Sequence, residues 1–144
     1  MRVIDSALSA FTSLGIDPDS LIRFIAELST GNQDRVLRTG SASPWGLAAT
    51  VTGSDLNVTV SAGLYIVSGI HVFTDVAQVI AFTGSTGKYD IIQGNSSGIL
   101  TRKTTASASP GGTTADTDNI ILWEVFDDNS TIVSGNLTDK RVFA

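Results

Sequence analysis

A mainly β fold, an antiparallel β-sandwich or small barrel with a short N-terminal two-helix segment, is predicted by three features of the sequence. Short apolar runs follow one another, separated by Gly, Ser, Asn and Asp, as strands joined by tight turns do. The hydrophobic period changes from 3.6 to 2 at Leu47. Only 16% of the residues are charged, against about 25% in an average globular chain, and Ser, Thr, Asn and Gly supply the polarity instead. These features divide the 144 residues into a helical segment and linker over 1–46 and an antiparallel β domain over 47–144.

The first helix is expected over Val3–Leu14, where Ile4, Leu8, Phe11 and Leu14 recur at helical spacing and Gly15 ends the run. The second starts at Asp17, a good N-cap, with Pro18 at the first helical position and Asp19 at the positive end of the dipole. Leu21, Phe24, Ile25 and Leu28 then form one apolar face, and Gly31 stops the helix. Both helices are too short to be stable alone and need a partner surface. Arg35–Arg38 reads as a short strand or an extended arm, and Gly40–Gly46 as a turn-rich linker.

From Leu47 the elements are strands. Leu56, Val58 and Val60 alternate with Asn57 and Thr59. After the Ser61–Gly63 turn, Leu64–Val67 is apolar on both faces, which suggests a strand between two layers. Ser68-Gly69 makes a hairpin into Ile70–Phe73. Val76–Phe82 reads as a strand and Gly84–Gly87 as a turn, followed by a strand at Lys88–Ile92 that pairs with Ile99–Lys103 across the Gly94–Gly98 loop. Thr104–Asp118 is a polar, low-complexity stretch and reads as a long exposed loop. Ile120–Phe126 is the most apolar strand and is expected at the centre of its sheet, before a turn at Asp127–Asn129.

The bulk properties exclude several classes. A net charge of −5 and a pI near 4.5 argue against nucleic acid and against an anionic membrane surface as partners, since both require a basic face. Cysteine is absent, which removes disulfides and thiolate metal sites. The start of the chain lacks the unbroken apolar run of a signal peptide, and no run has the length of a membrane span, so a soluble protein made in a cytoplasm is expected. Mean hydropathy is +0.21. With so little charge, either part of the apolar surface is covered by another subunit or the chain is simply a Ser/Thr-rich β domain.

Each candidate constellation competes with an ordinary structural role. His71, the single histidine, would have to serve any Ser/His/Asp triad, yet it lies in an alternating strand with no nucleophile-elbow motif. Asp116–Asp118 and Asp127–Asn129 carry oxygen ligands suited to Ca²⁺ but no ordered loop signature, and such residues are also ordinary in turns. Asp90 and Glu124 are a carboxylate pair of the kind a glycosidase uses, with the alternative that they are edge or interface charges, Glu124 meeting Lys140 or Arg141. Trp45, Tyr65, Tyr89 and Trp123 would build a sugar-stacking platform, or else pack the core, which their scatter through strands favours. The sequons at Asn57, Asn95, Asn129 and Asn136 read as unmodified. Gly84–Gly87 lacks the Lys-Ser/Thr ending and following helix of a phosphate loop.

The run Val58–Val72 resembles the strand, Gly, aromatic, strand, Gly, strand opening of small β modules in tailed-bacteriophage virion proteins. The resemblance continues through Tyr89-Asp-Ile-Ile92, the Gly98-Ile-Leu100 hairpin, the Ser/Pro/Gly-rich loop Ala106–Thr113, the strand Ile120–Val125 and the terminal Asp139–Arg141, and so covers Leu56–Arg141. It implies a non-enzymatic structural protein of the tail, baseplate or fibre, located in the virion and assembled in the host cytoplasm, with no cofactor and no metal. It also implies a homotrimer whose partners are other virion proteins, docked through the N-terminal helices by Leu21, Phe24, Ile25 and Leu28. Receptor-binding members of the family usually carry a further distal domain, whereas this sequence ends just after Arg141, which favours an adaptor, a short fibre or a decoration protein. The alternative functions are a capsid decoration (cement) protein and a carbohydrate-binding module for host-surface glycans.

Overall fold

The computed structural model describes residues 34–37, 46–84, 86–104, 107–128 and 130–143. The two expected helices, with Leu21, Phe24, Ile25 and Leu28, lie outside the described residues, as does Trp45. What is described is mainly β. Ten strands are present: β1 Arg35–Val36, β2 Ala49–Thr50, β3 Asn57–Val60, β4 Gly63–Val67, β5 Ile70–Thr74, β6 Gln78–Ala81, β7 Lys88–Asn95, β8 Leu100–Lys103, β9 Asn119–Asp127 and β10 Leu137–Asp139. A single 3-10 turn, Ser134–Asn136, precedes β10, so the apolar pair Ile132-Val133 forms no strand.

Three antiparallel sheets result, ordered β1-β4-β5, β2-β3-β6 and β10-β9-β7-β8. Their inward side chains meet in one sandwich-like core, with Tyr65, Val67 and Val72 from the first sheet, Val58, Val60 and Ile80 from the second, and Ile92, Leu122, Trp123 and Val125 from the third. Burial of this apolar surface is the main term holding the sheets together. The β domain takes in β1 as well as the chain from residue 47, because Arg35 and Val36 pair with Ile66 and Tyr65.

Local chemistry explains several joints. Ser68 and Gly69 both have positive φ, 51° and 75°, as a two-residue hairpin that follows the strand twist requires. Strand β4 is buried on both faces, as its sequence suggests: Tyr65 and Val67 enter the core, while Leu64 and Ile66 are buried on the other side. A Cβ on Gly94 would lie 2.9 Å from Tyr65 Oη and 3.0 Å from Leu100 Cδ2. Glycine there lets the Tyr65 ring pass β7 and donate its hydroxyl hydrogen bond to the Asn95 carbonyl at 2.6 Å. Burial pushes the Tyr65 phenol up to about 12.

Strand β9 lies inside its sheet, between β10 and β7. It contains an irregularity: the register slips between Ile92 and Gln93, so Gln93 faces Ile121, Ile92 faces Trp123 and Leu122 is the extra residue. Leu122 and Trp123 both reach the core in consequence. Trp123 Nε1 donates to the Leu47 carbonyl at 2.8 Å, and the Arg141 guanidinium lies over the Trp123 ring at 4.7 Å.

Candidate functional site

Register fixes which side chains share a face of the β7–β9 pair. Ile91 is opposite Glu124 and Gln93 opposite Ile121, on the side away from the core; Asp90 is opposite Val125 on the core side. Asp90 and Glu124 therefore project from opposite faces of one sheet and do not flank a common cleft, so the glycosidase arrangement is not built. Neither is an edge charge. Both are almost fully buried, on two inner strands.

On the core face, Asp90 Oδ2 accepts from Arg102 Nε at 2.8 Å. The same guanidinium reaches Asp127 Oδ2 at 3.8 Å and donates to Thr83 Oγ1 at 3.0 Å, while its carbon lies 5.2 Å from the centre of the Phe82 ring. Three donors of the Gly84–Gly87 turn, the Thr86 and Gly87 amides and the Thr86 hydroxyl, bond the Asp127 carbonyl, so the turn spends its donors on its own chain. Arg102 sits between two buried carboxylates and closes that end of the sheet.

On the outer face lies the stretch expected to be an exposed loop. Its side chains are mostly exposed, but it is strapped to the sheet. Glu124 Oε2 accepts from the Gly111 amide at 2.6 Å. Thr113, which is buried, donates its hydroxyl to the Tyr89 carbonyl at 2.9 Å. Gln93 and Asp116 exchange two hydrogen bonds, Nε2 to Oδ2 at 2.8 Å and the Asp116 amide to Oε1 at 2.9 Å. Lys103 donates to the Thr114 carbonyl at 2.7 Å and pairs with Asp116 at 3.0 Å. The hydrogen bonds from Gln93 and Lys103 hold the Asp116 carboxyl below the ordinary aspartate range.

Between strap, sheet and chain end lies a cavity of about 420 Å³. Its apolar wall is Ile91, Ile121 and Val142, and its charged groups are Glu124, Lys140 and Asp34. Glu124 is only 2% exposed, and its Oε1 has no hydrogen-bond partner. The nearest cation, Lys140 Nζ, is 3.9 Å away, which brings Glu124 to Lys140, one of the two basic partners the sequence offered. Arg141 instead pairs with Asp139 at 2.6 Å and donates to the Gly46 carbonyl at 2.7 Å. The hydrogen bonds that Arg141 donates to the Asp139 carboxylate hold that carboxyl below its ordinary range.

The remaining candidates separate. His71 is exposed on edge strand β5, opposite Ile66. Asp118 accepts from Ser68 Oγ at 2.7 Å, so it and Asp116 hold different partners. Among the described residues no three His, Cys, Asp or Glu side chains are grouped to hold a metal, and no helix is long and apolar enough to cross a membrane. Tyr65 and Trp123 are in the core, and Tyr89 stacks on Phe126 with ring centres 4.5 Å apart, so these three aromatics form no common platform. Of the sequon residues, Asn95 accepts the Ser97 and Ile99 amides and Asn136 the Val133 amide, both as turn residues; Asn129 lies outside the described residues.

A second surface feature is apolar. Strands β6 and β8 are edges of different sheets, joined by the Gln78 side chain, which donates to the Gly98 carbonyl at 2.7 Å and accepts the Leu100 amide at 2.9 Å. Val79 alternates with buried Ile80, and Ile99 precedes buried Leu100, so both point outward, 63% and 54% exposed. Val76, in the segment before β6, is also exposed.

No protein-family model, no curated protein and no solved structure matches this chain.

Proposed function

We propose that this chain is a non-enzymatic structural component of a tailed-phage particle, a tail, baseplate or fibre protein that docks through its N-terminal helices and self-associates through its β domain. The observation that carries self-association is the apolar seam at the β6–β8 junction. Val79 on edge strand β6, with Val76 and Ile99 in the segments just before β6 and β8, is exposed to solvent in a chain with only 16% charged residues. Edge strands with outward apolar side chains are surfaces that another chain covers. The resemblance of Leu56–Arg141 to small virion β modules supplies the setting, and it implies a trimer of identical subunits.

Among the alternatives, the carbohydrate-binding module finds no platform in Tyr65 and Trp123, which are packed inside. A capsid-decorating role shares the seam and differs in partner. The test is the solution mass of the unmodified chain beside a Val79→Asp/Ile99→Asp variant. A trimer that falls to monomer in the variant supports the reading. A trimer unaffected by the substitutions removes the seam from it.

A further inference from the structure

We propose that the cavity under the strap is a binding site for a primary ammonium on an aliphatic stem, with Glu124 Oε1 as the acceptor. The inference is independent of the particle reading. The first ground is the carboxylate itself. Glu124 Oε2 is fixed by the Gly111 amide at 2.6 Å, so the side chain cannot turn to satisfy Oε1 without releasing the strap. A buried carboxylate oxygen calls for a donor, and a charged donor serves it about twice as well as a neutral one.

The second ground is charge. Glu124, Asp34 and Lys140 line the cavity, two carboxylates to one ammonium, and although Asp34 Oδ1 accepts the Ser68 amide at 3.0 Å, the balance of formal charge favours a cation over an anion. Lys140 Nζ lies 3.9 Å from Oε1, beyond hydrogen-bonding distance, and its side chain is 36% exposed, so it can yield to an incoming cation. The third ground is the wall. Ile91, Ile121 and Val142 suit methylene groups. The volume of about 420 Å³ lies in the range of small-ligand pockets, about 300–1,000 Å³. The same chemistry is offered by a free alkylamine and by a lysine side chain of a second copy.

The experiment is an amide-shift titration of the full chain by NMR with n-pentylammonium, Nα-acetyl-lysine amide and neutral n-pentanol. Saturable shifts at Gly111, Thr113 and Ile121 with both amines, and weaker ones with pentanol, are expected. Glu124→Gln should weaken amine binding roughly ten- to a hundred-fold, while the Gln oxygen still accepts the Gly111 amide and keeps the strap in place. Lys140→Ala should tighten amine binding by removing the competing cation. Pentanol binding as well as the amines, an affinity unchanged in Glu124→Gln, or no saturable shift at these amides would overturn the proposal. Light scattering on Glu124→Gln separates the sources: a reduced mass assigns the ammonium to a lysine of another copy, and an unchanged mass with lost amine binding assigns it to a free amine.

Discussion

Asp90 and Glu124 lie buried on the two faces of the β7–β9 pair and are finished differently, while Asp127 Oδ1 on the core face shares with Glu124 Oε1 the lack of a hydrogen-bond partner. On the core face, Asp90 is held by a 2.8 Å bond to Arg102, whose guanidinium also serves Thr83 and approaches Asp127. On the outer face, Glu124 spends one oxygen on the strap and leaves the other at a cavity, with its cation at 3.9 Å. Both carboxylates are at least 98% buried. Burial alone therefore does not separate a structural charge from a binding one. The difference lies in whether a counter-charge is locked beside it, and in whether the group faces packed side chains or a cavity.

That comparison can be pressed by mutation. The largest effect is expected for Arg102→Met, which strips the cation from between two buried carboxylates and should destabilise the fold by about 3–5 kcal/mol. Urea denaturation of the variant measures it, and a loss below about 1 kcal/mol would show that Asp90 is held by other means. Tyr65→Phe comes next. It removes the 2.6 Å bond to Asn95 and should cost about 1 kcal/mol. The same substitution alters alkaline behaviour. The native phenol is raised to about 12 from 10.0, so its contribution is fully present below pH 10 and is lost as pH rises from there through about 12. Thermal melts across that window should slope less steeply for the Phe variant.

Glu124→Gln should change stability by less than about 1 kcal/mol in either direction, since it removes a poorly compensated buried charge and keeps the acceptor for Gly111. A large loss would place Glu124 with Asp90 as a structural charge and erase the contrast between the faces. The smallest effect is expected from acid. Asp116 and Asp139 are held below their ordinary value of 3.8, so their contribution is present above that pH and disappears as pH falls through the lowered values. Asp139→Asn should flatten the acid limb slightly, because an exposed pair with Arg141 contributes little.

Much of the fold was legible because it rests on short-range signals. Ser68-Gly69 specified its hairpin, the two apolar faces of Leu64–Val67 announced a strand between layers, and the apolar run from Ile120 marked the inner strand. The short strand allowed at Arg35 is present, although it lies ahead of the expected domain start at residue 47. The cavity was not legible, for two physical reasons. Strict alternation from Ile121 sends Trp123 to the same face as Ile121 and Glu124 to the other; the bulge at Leu122 reverses that and puts Trp123 in the core and Glu124 outside. The strap, in turn, is held by isolated bonds from Gly111, Thr113 and Asp116, which leave no periodic trace in a polar stretch. The available hint was the possible pairing of Glu124 with Lys140 or Arg141, of which the structure brings Lys140 to Glu124.

The most direct test of the proposed role is the solution mass of the full chain by multi-angle light scattering over a range of concentrations. A trimer of 15.0 kDa chains that dissociates when Val79 and Ile99 are changed to Asp is expected. A monomer at every concentration would contradict self-association through the β domain and with it the central claim.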